Sequence, residues 1–182
     1  MSSGGGKTYL DANTYLRQTW RLAQAVYASG WRPDVLAGLW RGGAAPAAAV
    51  HEYLSYRGWE MRHFPLKCSS YGGIGDNSGG VSVDLQAVRG MVEAGDRVLV
   101  VDDVFDTGLT AQAVRRALSA LGAEVRVACV HWKPGKNKTD GRPDYHAVED
   151  GDGWIVFPHE LCGLSPEEVG LKDPGFAIVP RA

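Results

Sequence analysis

The chain has 182 residues, a length that corresponds to one domain, with or without a small appendage. Hydrophobic residues make up 45% of it and charged residues 22%, which is typical of a folded globular protein and excludes a disordered or fibrous one. The formal net charge of −2 provides no surplus of cations, so we expect neither nucleic acid nor an anionic membrane as a partner.

The N-terminus and the cysteines narrow the protein class further. Residues 1–12 open with a Gly- and Ser-rich stretch that predicts a flexible arm, and residues 13–182 are predicted to form a single domain. The three cysteines, Cys68, Cys129 and Cys162, are widely spaced, which predicts neither a disulfide framework nor a zinc site. No apolar stretch approaches the roughly 20 residues of a membrane-spanning helix. We therefore expect a cytoplasmic protein.

Helical and strand patterns alternate along the chain. In chain order the predicted elements are a helix between Asn13 and Gly30, a strand at 34–40, a helix from Pro46 to Gly58, strands at 59–66 and 97–101, a helix that carries Val114 and Leu118, and strands at 125–130 and 154–157. The strand runs are short and apolar, as in strands that are buried on both faces. This alternation predicts an α/β fold in which helices flank a mostly parallel central sheet.

The segment 68–83 shows no periodicity of either kind. Nine of its sixteen residues are Gly or Ser. A segment longer than about 12–15 residues without regular structure, inside a compact domain, is typically a functional lid or disordered. We interpret this segment as a mobile lid.

The turn after the central strand combines acidic residues with a helix N-terminus. Its stretch Thr107-Gly108-Leu109-Thr110 offers hydroxyls and free backbone N–H groups, which are suited to a phosphate. Asp102, Asp103 and Asp106 stand just before it. Carboxylates beside a phosphate site repel the phosphate unless sugar hydroxyls or a divalent cation such as Mg²⁺ compensate. A solvated acidic turn is the alternative, and the flanking strand and Thr-Gly turn favour the binding site.

Residues 98–110 resemble the phosphoribosyl-pyrophosphate (PRPP) signature of the type I phosphoribosyltransferases. The resemblance implies the fold of that family, with a small base-binding hood formed by segments within 133–162. It also implies that Asp102 and Asp103 hold the ribose hydroxyls and Mg²⁺, directly or through water, and that Thr107 to Thr110 hold the 5′-phosphate.

Two further segments are similar to loops of the same family. Leu39-Trp40-Arg41-Gly42-Gly43 resembles the pyrophosphate loop, which implies that a backbone amide of Arg41 or Gly42 meets the leaving group, with a cis Trp40–Arg41 peptide as one way to present it. Ser69-Ser70-Tyr71 resembles the Ser-Tyr pair on the lid of the 6-oxopurine phosphoribosyltransferases. Ser70 and Tyr71 are thereby expected to contact substrate when the lid closes.

Two segments, Lys133-Pro134 and Trp154-Ile155-Val156-Phe157-Pro158, resemble the purine pocket of the xanthine–guanine branch. Lys133 is implied as the donor to the purine 6-oxo group, because an adenine amino group could not accept its proton. Trp154 is implied to stack on the purine ring, and the backbone near Ile155 to read its N–H edge. Glu160 lies near the position at which relatives place a carboxylate that contacts a second Mg²⁺.

The resemblance implies transfer of the phosphoribosyl group from PRPP to N9 of xanthine, guanine or hypoxanthine, in purine salvage. The products would be pyrophosphate and a nucleoside monophosphate, and the enzyme would be a homodimer or tetramer. Asp106, reaching the purine N7, would act as general base or hold the tautomer whose N9 attacks, and Lys133 would polarise the ring. Two alternatives remain: a PRPP- or nucleotide-sensing regulator of this fold that binds nucleic acid, and a phosphoribosyltransferase for another base.

Overall fold

The computed structural model describes residues 7–71, 80–86 and 88–172, with the backbone alone at 69–71. The chain contacts divide it into two compact units, which we call the core unit (Leu16–Asp152) and the terminal unit (Met1–Tyr15 with Gly153–Ala182). The boundary falls inside the first helix, α1 (Ala12–Ala28). The sequence analysis predicted one domain from residue 13 onward.

A six-stranded sheet forms the centre of the core unit. Its strands are β2 (Val35–Trp40), β3 (Arg62–Tyr71), β4 (Gly80–Val83), β5 (Arg97–Phe105), β6 (Glu124–Trp132) and β7 (Tyr145–Glu149). Their order across the sheet is β4-β3-β2-β5-β6-β7. All neighbouring strands are parallel except β3 and β4. The predicted α/β fold with a mostly parallel central sheet is confirmed.

Two helices pack on this sheet: α2 (Ala44–Tyr56) contacts β2 and β5, and α3 (Leu109–Ser119) contacts β6 and β4. On β5, Val98 to Val101 are fully buried, as their unbroken apolar run predicts. Val114 and Leu118 of α3 pack into the same hydrophobic cluster as β5. Strand β5 and the start of α3, which flank the acidic turn, are therefore both anchored in the core.

The segment predicted as an unstructured lid contains strands at both ends. Residues 68–71 belong to β3 and pair antiparallel with β4, in a register from Cys68 opposite Val83 to Tyr71 opposite Gly80. Antiparallel pairing rests on backbone hydrogen bonds, which a Gly- and Ser-rich sequence can make without the apolar alternation that the sequence analysis sought. The remaining lid residues, 72–79, lie outside the described residues.

The prediction of a flexible arm at residues 1–12 is corrected at residues 7–12, and residues 1–6 lie outside the described residues. Strand β1 (Lys7–Tyr9) pairs in parallel with β8 (Trp154–Val156), and α1 starts at Ala12. The Asp11 carboxylate accepts the N–H groups of Asn13 and Thr14 at 3.0 Å, so Asp11 caps the helix. A three-residue strand is too short to show periodicity, and its partner lies at the opposite end of the sequence.

The terminal unit also contains the short helix α4 (Pro166–Lys172). Ser165 and Glu168 close its first turn reciprocally, because the Ser165 N–H donates to Glu168 Oε2 at 2.9 Å and the Glu168 N–H donates to Ser165 Oγ at 3.2 Å. This is a capping box. Among the described residues, no helix has both the length and the apolar character that crossing a bilayer requires.

Candidate active site

The acidic turn lies at the carboxyl end of β5, where ligands bind in parallel α/β sheets. Asp102 and Asp103 are the sixth and seventh residues of this strand. Asp103 is 7% exposed, and its Oδ1 accepts the N–H of Val104 at 2.7 Å. Asp102 Oδ1 accepts the N–H of Asp103 at 3.0 Å. The two carboxylates are therefore held by the backbone that follows each of them.

Gly108 turns the chain from β5 into α3. Its φ of 79° lies in the left-handed region, which glycine adopts without a steric cost. A Cβ at this position would stand 2.5 Å from Thr139 Oγ1 and 2.7 Å from Asn137 Oδ1. Leu109 begins α3, whose first N–H groups have no partner within the helix. The Thr107–Thr110 turn thus presents the geometry of an anion site.

The turn after β2 packs directly against Asp102 and Asp103, which we call the acid pair. A Cβ built on Gly42 would lie 2.2 Å from Asp103 Oδ2, and one on Gly43 would lie 2.4 Å from the carbonyl oxygen of Val101. The peptide between Trp40 and Arg41 is cis, as the sequence resemblance implied. The two glycines permit a backbone approach that any larger residue would block.

Two adjoining cavities connect these turns. One, of about 230 Å³, is lined by the acidic residues Asp102, Asp103 and Asp106 and by Thr107, Gly108 and Thr110. The other, of about 220 Å³, is lined by Arg41 and Gly42 with Trp40, Cys68 and Val81, and shares Leu39, Asp102 and Thr110 with the first. Of the predicted substrate-binding residues of the core unit, the structure brings Arg41, Gly42, Asp102, Asp103, Thr107, Gly108 and Thr110 to these two cavities, whereas Leu109 lines neither.

Asp106 lines the first cavity and has one unsatisfied carboxylate oxygen. Its Oδ1 is buried and has no hydrogen-bond partner among the described residues, which is rare for a carboxylate in a folded protein. Its Oδ2 lies 4.0 Å from the ammonium of Lys136. A ligand that donates a hydrogen bond would satisfy Oδ1.

Lys133 follows β6 and lies beside the end of β5. Its N–H donates to the carbonyl of Phe105 at 3.0 Å. The residue is only 4% exposed, and a buried ammonium indicates either a structural partner or a ligand contact.

A family profile described as "Phosphoribosyl transferase domain" matches residues 5–164. The chain belongs to this phosphoribosyltransferase family. Xanthine-guanine phosphoribosyltransferase of Gluconobacter oxydans is 32% identical over 129 residues, which are 68% of this chain and 67% of that protein. The crystal structure of a purine phosphoribosyltransferase from Pyrococcus horikoshii superimposes with a TM-score of 0.70 at 29% identity, covering 87% of this chain and 97% of that one.

A shorter match has higher identity. HGPRTase-like protein 2 of Halalkalicoccus jeotgali is 54% identical over 54 residues, and the match spans 29% of this chain and 29% of the length of that protein.

Several of the predicted site residues lie outside the core unit or outside the described side chains. Trp154, Ile155 and Glu160 belong to the terminal unit. Trp154 is 58% exposed on β8, and Glu160 Oε2 accepts the N–H of Phe157 at 3.0 Å. The Glu160 carboxylate therefore closes a local turn. The side chains of Ser70 and Tyr71 lie outside the described part of the structure, although their backbone belongs to β3.

The loop after Lys133 contributes residues that the sequence analysis treated only as a polar connection. Besides Lys136 next to Asp106, Asn137 and Thr139 pack against Gly108, and the N–H of Lys138 donates to the Thr107 carbonyl at 2.9 Å. The loop therefore packs against the Thr107–Thr110 turn and supports it. Its four close polar and basic residues were visible in the sequence, but only tertiary structure shows what they contact.

The acid pair carries an electrostatic cost. Burial, and then the neighbouring charge of Asp103, raise the pKa of Asp102 well above its ordinary 3.8. Because the folded-state pKa exceeds the unfolded one, protonated Asp102 stabilises the protein at low pH, and this stabilisation is lost as the pH rises from about 4 through the raised pKa. At neutral pH the burial of Asp102 beside Asp103 therefore makes the ligand-free protein less stable than it would be without this raised pKa.

We therefore expect Asp102→Asn to raise the melting temperature of the ligand-free protein at pH 7, by about 2–4 °C for each kcal/mol of this cost removed. The gain should shrink as the pH falls toward 4, where the wild-type residue is protonated. Thermal unfolding followed by circular dichroism across this pH range measures it. Glu149→Gln, which alters an exposed carboxylate, is the control. A melting temperature of Asp102→Asn at or below that of the control at pH 7 would contradict the account.

Proposed function

We propose that the protein transfers the 5-phosphoribosyl group of PRPP to N9 of a 6-oxopurine and releases pyrophosphate, in purine salvage. The observation that carries the proposal is the convergence of the Arg41–Gly42 turn, the acid pair and the Thr107–Thr110 turn on adjoining cavities. The name of the Gluconobacter oxydans relative, a xanthine-guanine phosphoribosyltransferase, supports a 6-oxopurine as the acceptor. From the family resemblance we also expect a cytoplasmic homo-oligomer.

In this proposal each part of PRPP is bound by a different part of the site. The Thr107–Thr110 turn binds the 5′-phosphate through backbone N–H groups and hydroxyls. Asp102 and Asp103 accept hydrogen bonds from the ribose hydroxyls, and amides of the Arg41–Gly42 turn bind pyrophosphate. The close approach of Gly42 to Asp103 supports this division, because the turn proposed for pyrophosphate and the carboxylates proposed for the ribose are then neighbours.

The residues present fit Mg²⁺ as the cofactor. Among the described residues, no three His, Cys, Asp or Glu side chains form a metal cluster, but Mg²⁺ typically takes one or two carboxylates plus substrate phosphates. Asp103 and Asp102 would supply such a pair, and the pKa of Asp102, raised by burial and then by the charge of Asp103, supports the proposal because a nearby cation would favour the ionised carboxylates. When bound, Mg²⁺ would neutralise charge on pyrophosphate. Because Glu160 Oε2 accepts the Phe157 N–H, we leave it out of the proposed metal ligands.

Asp106 and Lys133 are proposed to act on the base. The buried and unsatisfied Oδ1 of Asp106 would accept a proton from purine N7, or hold the tautomer whose N9 attacks the sugar carbon. Lys133 would donate to the 6-oxo oxygen, Trp154 would stack on the ring, and the backbone at Ile155 would read the N–H edge. Ser70 and Tyr71 would cover the sugar and exclude water.

Incubation of the protein with PRPP, Mg²⁺ and a panel of bases, followed by measurement of pyrophosphate, tests the proposal. We expect release with at least one of xanthine, guanine and hypoxanthine, and none with adenine or uracil, because adenine offers Lys133 no acceptor at position 6. Release with uracil alone would favour the alternative of a different base. No release with any base would overturn the proposal.

A further inference from the structure

The terminal unit holds one ammonium group in a ring of backbone carbonyls. Lys172 Nζ donates to the carbonyls of Phe157 at 2.6 Å and of Pro158 at 3.1 Å, and also to that of Glu160. A lysine has three N–H donors, so these bonds use all of them. We call Lys172 with these three carbonyls the carbonyl clamp.

The carbonyl clamp acts on the residues that directly follow β8. The same turn is closed a second time, because the Phe157 N–H donates to Glu160 Oε2 and the Glu160 N–H donates to the Phe157 carbonyl, each at 3.0 Å. Three carbonyls within four residues cannot shift independently while one ammonium binds them. Lys172 and Glu160 therefore both help to fix the path of the chain where it leaves β8.

Strand β8 itself is paired with β1. Lys7 pairs with Trp154, and the Leu10 N–H donates to the Val156 carbonyl at 3.0 Å. Lys7 Nζ in turn lies 2.5 Å from Glu168 Oε1, which connects β1 to α4. Strand β8 is thus held by β1 along its length and by the carbonyl clamp at its end.

The carbonyl clamp has a desolvation cost. Burial lowers the pKa of Lys172, and the charge of Glu160 opposes this shift. Helix α4, with seven residues, is too short to be stable alone, so the bonds made by Lys172 also attach the helix to the turn. Trp154 is largely exposed, so side-chain packing does little to position its ring, and the point from which the ring projects depends on the backbone of β8.

We propose that Lys172 is a positioning residue for the purine base, which it serves by fixing β8 so that the Trp154 ring and the Ile155 backbone are held ready for the base. This inference rests on the proposed function. Lys172 itself is not expected to contact either substrate. Loss of the carbonyl clamp should weaken binding of the base and leave binding of PRPP unchanged.

The test compares Lys172→Met, Lys172→Arg and Lys7→Met by steady-state kinetics, with each substrate varied in turn. For Lys172→Met we expect the KM for the purine base to rise about tenfold while the KM for PRPP stays within about twofold of wild type. Lys172→Arg keeps a charged donor and should recover most of the loss. Lys7→Met removes an exposed ion pair of the same unit, which contributes little, and is the matched control.

Hydrogen exchange at the amides of Phe157 and Leu10 provides a second readout, which applies even if Lys172→Met is destabilised. Faster exchange in Lys172→Met than in Lys7→Met, together with the rise in KM for the base, supports the inference. If Lys172→Met had the same KM for the base as the wild-type protein, or if its two KM values rose equally, the inference would be overturned. The proposed function would still stand, provided that the wild-type protein turned over its substrates. Absence of turnover in the wild-type protein would overturn both.

Discussion

Asp106→Asn is expected to reduce turnover by about 10²–10⁴-fold, the usual cost of removing a positioned acid–base group. Asparagine has nearly the same shape as aspartate but cannot accept the N7 proton. The substitution keeps a polar group in the place of the buried Oδ1, so the surrounding cavity should remain intact. Binding of PRPP should change little, because Asp106 is assigned to the base.

Steady-state kinetics and calorimetry with PRPP measure the two parts of this prediction. Asp140→Asn is the control, since Asp140 is an exposed carboxylate of the neighbouring loop and carries no assigned role. Turnover of Asp106→Asn close to that of Asp140→Asn would show that the role given to Asp106 is wrong. A large loss of PRPP affinity would instead place Asp106 in the PRPP site.

Gly42→Ala is expected to reduce kcat/KM for PRPP by about 10²-fold, the scale of loss that a misplacement of about 1 Å causes. The new methyl group would stand 2.2 Å from Asp103 Oδ2 and 2.8 Å from Asp103 Oδ1, closer than any van der Waals contact. Asp103 is buried and bonded to the Val104 N–H, so it cannot turn away without losing that bond. The displaced carboxylate would no longer meet the ribose hydroxyls.

The matched control is Gly151→Ala, where a Cβ would meet no atom within 4 Å. Both variants add one methyl group, and only Gly42→Ala places it against the acid pair. Titration calorimetry with PRPP and Mg²⁺ separates a binding defect from a chemical one. Wild-type affinity in Gly42→Ala would mean that the contact between this turn and Asp103 has no part in binding PRPP.

The central part of the fold and of the site could be predicted from local sequence. The apolar run before Asp102 predicted a buried strand, and the Thr107–Thr110 stretch predicted a helix N-terminus, because the residues that determine each feature are adjacent in sequence. The approach of Gly42 to Asp103 is different, since it joins the ends of two neighbouring strands. It followed only from the family resemblance, which placed both segments around one substrate.

The terminal unit could not be predicted in the same way. Strand β1 has three residues, and its partner β8 lies near the other end of the chain, so neither local periodicity nor a turn signal identifies the pair. The contacts of Lys136 and Lys172 could not be predicted either. A lysine in a polar loop or a short helix has the same sequence signature whether its ammonium faces solvent or a partner within the protein. Their partners, Asp106 and the turn at 157–160, are set by tertiary structure.

The claim on which the account depends is that Asp102, Asp103 and the Thr107–Thr110 turn bind one activated pentose phosphate. Isothermal titration calorimetry of the wild-type protein with PRPP, in the presence and absence of Mg²⁺, tests it most directly, with Asp103→Asn as the variant that removes a ligand and Asp140→Asn as the control. The account predicts saturable binding at one site per chain that requires Mg²⁺ and is lost in Asp103→Asn alone. Absence of binding heat in the wild-type protein, or unchanged affinity in Asp103→Asn, would contradict it.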